Sequence, residues 1–213
     1  LRGNMLPQHK SNVENEADKK EQNRQKSSAK FIYLIRSPLD TCVSFYHHLS
    51  HQVEGCYEKS IDDFFREWMD GEIPFGSWTD HLLSYAPLIA ADKVFLLSYE
   101  DMVNDLKGSV IKLVKYLEMD DVLTTGDIDE IVPSFSFQSM KKDLNRFQPK
   151  SVTWKNDFKF LRKGVVGDQK QQLSNASRNE FEKRIDANQF IAKVSIAMQG
   201  KGKDSIQMLM RST

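Results

Sequence analysis

Apolar residues along this chain follow two rhythms. Phe31-Ile32-Tyr33-Leu34-Ile35 is a short run without polar alternation, the pattern of a strand buried on both faces in a parallel sheet. Leu39, Cys42, Val43, Tyr46 and Leu49 then recur at the three-and-four spacing of one helix face. Ser37 suits the cap of that helix, Pro38 its first position, and Asp40 the acid of a capping box. Another cap at Ser60 opens a helix with Ile61, Phe64, Phe65, Trp68 and Met69 on its apolar face, stopped at Gly71. These aromatics read as core. Trp78, Leu82, Tyr85 and Ile89 mark a further helix. Val94 to Ser98 is a second continuous strand, and Leu106, Val110, Leu113, Val114 and Leu117 the helix after it. Two strand-then-helix units in succession predict an α/β fold with a central parallel sheet flanked by helices.

The remainder is less regular. Ile128, Ile131 and Val132 suggest a short helix stopped by Pro133. Ser134 to Lys142 shows no clean period, and Asn145 to Leu161 reads as loop with Trp154, Phe158 and Phe160 scattered along it. Ser177 and Glu180 open a last helix whose face includes Phe181, Ile185 and Asn188. Between His9 and Lys30 the apolar content is Val13, Ala17 and Ala29, too little to bury, so 9–30 is expected to be a disordered insertion. A single domain is therefore expected over 1–195, followed by a polar tail over 196–213.

Composition narrows the classes. The 213 residues suffice for one core, and 30 basic residues balance 30 acidic ones. Neutrality argues against a dedicated nucleic-acid or membrane-surface binder, although a local basic pocket can hide within it. Cys42 and Cys56 are too few for a disulfide framework and form no Cys-x-x-Cys pair, which suits a reducing, cytoplasmic setting. No apolar run approaches a membrane span and no signal peptide is visible. The chain starts with Leu1 rather than Met, which reads as a fragment or a processed product.

The strand-to-helix junction is the first candidate site. A helix N-terminus offers unpaired N–H groups to an anion, and ligands collect at the carboxyl ends of parallel strands. Arg36 stands there, and Ser44 lies seven residues past Ser37 on the same helix face, roughly 10 Å along the axis. A guanidinium and a hydroxyl can so meet on one phosphate; the bland alternative is an exposed arginine and a solvated serine. Phe160-Leu161-Arg162-Lys163-Gly164 places two cations beside a glycine, a phosphate clamp or an ordinary surface loop. His47, His48 and His51 include an i, i+4 pair, but no carboxylate or cysteine completes a metal site, so packing is the preferred reading.

Several of these segments together resemble one family. Tyr33-Leu-Ile-Arg36-Ser-Pro-Leu-Asp40 followed by Val43-Ser44-Phe-Tyr46-His47 is similar to the 3′-phosphate-binding motif of the cytosolic sulfotransferases. Phe160-x-Arg162-Lys163-Gly164-x-x-Gly167-Asp168 is similar to the segment that closes over the same phosphate. Leu97-Ser-Tyr99-Glu100-Asp101-Met102 looks like the turn whose tyrosine lies near the adenine, and Ser136-Phe137-x-x-Met140 like the segment enclosing it. Gly76-Ser77-Trp78 with His81 looks like a segment beside the acceptor. The resemblance implies 3′-phosphoadenosine 5′-phosphosulfate as co-substrate and no metal. It implies donor-binding roles for Arg36, Ser44, Tyr99, Ser136, Phe137, Met140, Phe160, Arg162, Lys163 and Gly164. His48 and Thr79 would border the pocket for a small-molecule acceptor, with His47 next to it. The implied fold is that of P-loop nucleotide kinases, here missing the first strand and the phosphate loop.

The departures matter equally. The family's Lys-Ser-Gly-Thr-Thr-Trp loop and its Lys-x-His base are not in this chain, so no catalytic residue is assigned. The residues in hand would hold the 3′-phosphate and adenine end of the donor, and the chain alone is expected to lack transferase activity. Gln169 replaces an expected tryptophan, Phe135 stands where a hydroxyl would contact the donor, and the family dimer motif is degraded. A homodimer by that route does not follow. The alternative to a sulfotransferase is an inactive nucleotide-binding or protein-interaction remnant of the same fold.

Overall fold

The computed structural model describes residues 29–187 and 190–197. Strand β1 (Phe31–Ile35) leads through Arg36 and Ser37 into helix α1 (Pro38–Ser50). Helices α2 (Ile61–Asp70) and α3 (Trp78–Ala90) follow, then strand β2 (Val94–Ser98) and helices α4 (Tyr99–Asn104), α5 (Leu106–Tyr116) and α6 (Thr125–Ile131). A 3-10 turn over Val132–Phe135 precedes α7 (Phe137–Lys142), α8 (Leu144–Phe147), α9 (Gln169–Gln172), α10 (Asn175–Ala187) and α11 (Phe190–Ala197). Among the described residues β1 and β2 form a parallel pair, with Phe31 opposite Val94 and Ile35 opposite Ser98.

The core lies between this pair and the helices. Ile35, Leu39, Cys42 and Val43 meet Phe64, Phe65 and Trp68 of α2, Leu82 and Ala86 of α3, and Phe181, Phe190 and Val194 of α10 and α11. Phe64 is wholly buried, and the rings of Phe45, Tyr46 and Tyr57 stand around it edge-on at centroid separations of 4.9–5.8 Å. Such pairs add to the burial of a large apolar side chain. Helix ends follow local rules. Ser60 Oγ accepts the Asp63 N–H at 3.2 Å, and Gly71 takes a left-handed φ of 75° while its N–H caps α2.

Several expectations are corrected. β1 is not buried on both faces: Phe31, Ile32 and Leu34 are exposed, because among the described residues only β2 pairs with it and no layer covers its outer face. No capping box forms at Ser37. Its hydroxyl makes no cap bond, and the Asp40 carboxylate turns instead to the Gly167 and Gln169 amides. The irregular 134–142 region holds the end of the 3-10 turn and α7, and the loop expected from Asn145 opens inside α8, each too short to show a period. The last predicted helix begins at Asn175, and α11 extends two residues into the expected tail. The rest of that tail, Asn188 and the insertion up to residue 28 lie outside the described residues. No described helix is long and apolar enough to cross a membrane.

The Phe64→Ala variant removes the ring around which three aromatics pack. It is expected to lower the unfolding free energy by about 3–5 kcal/mol, as measured by urea denaturation.

Candidate functional site

The site is built where β1 becomes α1. Strand pairing to β2 and the burial of Leu39 and Val43 leave Arg36 at the strand's carboxyl end, facing a cavity of about 620 Å³. Ser44, Tyr99, His48 and Phe160 line the same cavity. Three neighbours hold the guanidinium. Its carbon lies 4.3 Å from the Tyr99 ring centroid, Nη2 donates to the Val165 carbonyl at 3.2 Å, and Asp40 Oδ2 is 4.0 Å away. The Arg36 Nε and the Ser37 hydroxyl are buried without a hydrogen-bond partner. Buried donors normally have one, and Arg36 faces the cavity whereas Ser37 does not line it, so the Arg36 Nε is where an anionic ligand would find an unspent hydrogen bond. Glu100 holds the turn itself, accepting the Ser37 N–H at 2.8 Å.

Residues 162–169 form a strap fastened to α1. Asp40, 1 % exposed, accepts the Gly167 N–H at 2.6 Å and the Gln169 N–H at 3.0 Å. Arg162 and Lys163 both pair with Asp168, the lysine at 2.6 Å. Burial pushes the Asp168 carboxyl up, but Lys163 and Arg162 outweigh it and hold the group below the usual carboxylate range. Gly164 has a φ of +66°, and a Cβ there would lie 2.4 Å from the Phe137 ring, so the strap runs directly against α7. Lys141 Nζ stands 5.8 Å from the centroid of the same ring. Ser136 caps α7 through the Ser139 N–H. Ser136, Phe137, Met140, Arg162, Lys163 and Gly164 do not line the cavity itself; contact between Gly164 and Phe137 joins strap to α7 beside it.

The other cavity wall is aromatic. Phe45, Phe75, Trp78, His81 and Tyr33 line it. Tyr33 Oη and His81 Nδ1 are 2.9 Å apart, and burial with the nearby Tyr85 pushes the Tyr33 phenol up to about 12. Phe75 is 91 % exposed, has a φ of 78°, and lies 5.9 Å from the Phe45 ring. Thr79 is not among the residues lining the cavity; its hydroxyl hydrogen-bonds that of Ser77, which is, at 2.7 Å. His47 also lies off the cavity, against Tyr46 and His51. His48 faces it and meets Trp154 and Phe160 edge-on at 5.2 and 5.9 Å. His51 stacks on Phe158 at 4.2 Å, and an antiparallel bridge from Gln52 to Trp154 ties that loop to the end of α1. The scattered aromatics of 154–160 thus back the histidines of one helix face. Tyr33 and Phe75 carry no sequence signal for this wall, since a strand tyrosine and a turn phenylalanine are equally at home in a core. Among the described residues no three side chains of metal-binding type converge.

Comparison with known proteins places the chain. Residues 16–197 match the sulfotransferase domain family model, and the chain belongs to that family. Sulfotransferase 1E1 of Rattus norvegicus is 33 % identical over 158 residues, covering 73 % of this chain and 53 % of that protein. The amine sulfotransferase of Oryctolagus cuniculus is 29 % identical over 162 residues, covering 74 % and 53 %. The crystal structure of mouse sulfotransferase SULT7A1 complexed with PAP superposes with a TM-score of 0.68 at 24 % identity, over 88 % of this chain and 63 % of that one, and shares its fold. The chain spans about half the length of the curated relatives it matches.

Two outcomes are expected from this geometry. Burial, with Arg162 and His51, lowers the His47 pKa to about 4, against weaker opposing effects of Gln172 and Asp168. The unfolded chain therefore takes up the proton first. The stability that neutral His47 contributes is full above about pH 6.5 and is lost as pH falls towards about 4. Thermal melts at pH 7 and pH 5 should show this drop, and His47→Leu should reduce it. Gly164→Ala forces a side chain into the Phe137 ring at a left-handed φ and is expected to cost about 1–3 kcal/mol by urea denaturation.

Proposed function

We propose that this chain carries the 3′-phosphate and adenine half of a 3′-phosphoadenosine 5′-phosphosulfate site, within a cytoplasmic sulfotransferase that transfers a sulfuryl group to a hydroxyl or amine of a small acceptor. The observation that carries this reading is the convergence on one cavity of Arg36, with its unpartnered buried Nε, and Ser44, beside a strap bearing two further cations. In this reading Arg36 and Ser44 hold the 3′-phosphate, Arg162, Lys163 and the Gly164 backbone close over it, and Tyr99 keeps Arg36 in place. Ser136, Phe137 and Met140 enclose the adenine, and Phe160 closes the cavity next to it. The PAP in the similar mouse structure supports this ligand class.

His48 borders the acceptor, and Thr79 meets it only through Ser77. The relative named as an amine sulfotransferase supports keeping amines among the acceptors. Transfer itself requires a group that cradles the 5′-phosphosulfate and a base that takes the acceptor proton, and neither motif is present in this sequence. The acceptor oxygen or nitrogen would attack sulfur in line, and the leaving nucleotide would depart with the 3′-phosphate still on Arg36. Holding that phosphate fixes the direction of attack, which is a positioning contribution.

Binding is the direct test. Isothermal titration with adenosine 3′,5′-bisphosphate should show saturable binding that a metal chelator leaves unchanged. Arg36→Ala should weaken it about tenfold or more, the loss of a charge-assisted phosphate contact. A wild-type chain that folds and binds no bisphosphate would overturn the reading.

A further inference from the structure

We infer that Asp168 is the positioning residue that sets Arg162 and Lys163 as one clamp for a terminal phosphate. The inference rests on the nucleotide site proposed above. One Asp168 oxygen takes the Arg162 guanidinium and the other takes Lys163 Nζ at 2.6 Å. The Asp168 side chain is 4 % exposed, while Arg162 and Lys163 are 24 % and 40 % exposed. A buried anion is thus paired with two cations that remain more exposed to solvent than it is.

Two roles are open to such a carboxylate. It can be a stand-in that an incoming phosphate displaces, or a fixed support that stays while the phosphate binds. Displacement would strip a buried carboxylate of both partners, which is strongly unfavourable. Nor is it needed. The guanidinium has five N–H donors and the ammonium three, and Asp168 takes one from each. The remaining donors can turn to a phosphate without breaking either pair. The backbone on both sides of Asp168 is fixed as well, since the Gly167 and Gln169 N–H groups go to Asp40. Asp40 belongs to the same helix turn that follows Arg36, and Arg36 reaches the strap at the Val165 carbonyl. These bonds tie the strap that bears Arg162 and Lys163 to the turn that bears Arg36. Separately mobile, Arg162 and Lys163 would each lose rotamer freedom on binding, and preorganisation removes that cost.

The experiment is a double-mutant cycle on the folded chain, read as the Kd for adenosine 3′,5′-bisphosphate by titration calorimetry. Asp168→Asn is expected to weaken binding about tenfold. In a Lys163→Gln background the same change should cost only about threefold or less, because the cation it orients is already gone. A carboxylate that merely stabilises the fold would cost the same in both backgrounds, and that result overturns the inference. Unchanged or tighter binding by Asp168→Asn also overturns it, in favour of a displaced stand-in. Should Asp168→Asn not fold, Asp168→Glu keeps the charge, shifts it by one methylene, and carries the same cycle. Failure of the wild-type chain to bind the bisphosphate is a different result and removes the nucleotide site itself.

Discussion

The carboxylate of Asp40 is the tie on which the candidate site depends. It is almost fully buried, and it accepts backbone N–H groups from Gly167 and Gln169, about a hundred and thirty residues away in sequence. A buried carboxylate must be matched by donors of this quality, or it would cost more than it contributes. Both donors lie in the strap that carries Arg162 and Lys163. One side chain at the start of α1 therefore decides where two cations from the far end of the chain stand relative to Arg36.

That tie explains why the local rule for the helix start is set aside. A serine cap with an acid three residues later would satisfy α1 by itself. Asp40 instead serves the strap, and Glu100 supplies the acceptor for the Ser37 N–H. Glu100 stands in the first turn of α4, just past β2 and next to Tyr99, whose ring supports the Arg36 guanidinium. Both strand ends and the strap are thus knitted into one polar layer. Beneath it, the helices supply apolar packing around Phe64 and Phe65. Arg36 serves both the fold and the cavity: it donates to the Val165 carbonyl of the strap and lines the cavity.

The two walls of the cavity differ in how far the sequence reveals them. Arg36 and Tyr99 follow strand ends, which are visible as breaks in apolar runs, and Ser44 lies on the face of the helix that starts after Ser37. Arg162 and Lys163 stand out as paired cations before a glycine. The aromatic wall is harder. Phe45 belongs to α1, Phe75 to the turn before α3 and His81 to α3, and they meet only in the tertiary structure. His47 and His48 differ by one position, about 100° around a helix, and only packing decides which faces the cavity. Short helices such as α7 and α8 hold too few residues for a period to emerge.

Local chemistry in the sequence determined the parallel strand pair, the main helices and the positions of the cations, because these follow from periodicity, caps and residue type within a few neighbours. Tertiary structure alone decided that Asp40 serves the strap rather than its own helix, that Asp168 pairs both cations, and that the outer face of β1 is left exposed among the described residues. Each of those outcomes depends on which distant donor or layer arrives, and a carboxylate or a strand face is equally ready for more than one. The competition is settled by burial, where an unpaired charge is intolerable, and burial exists only once the chain has folded.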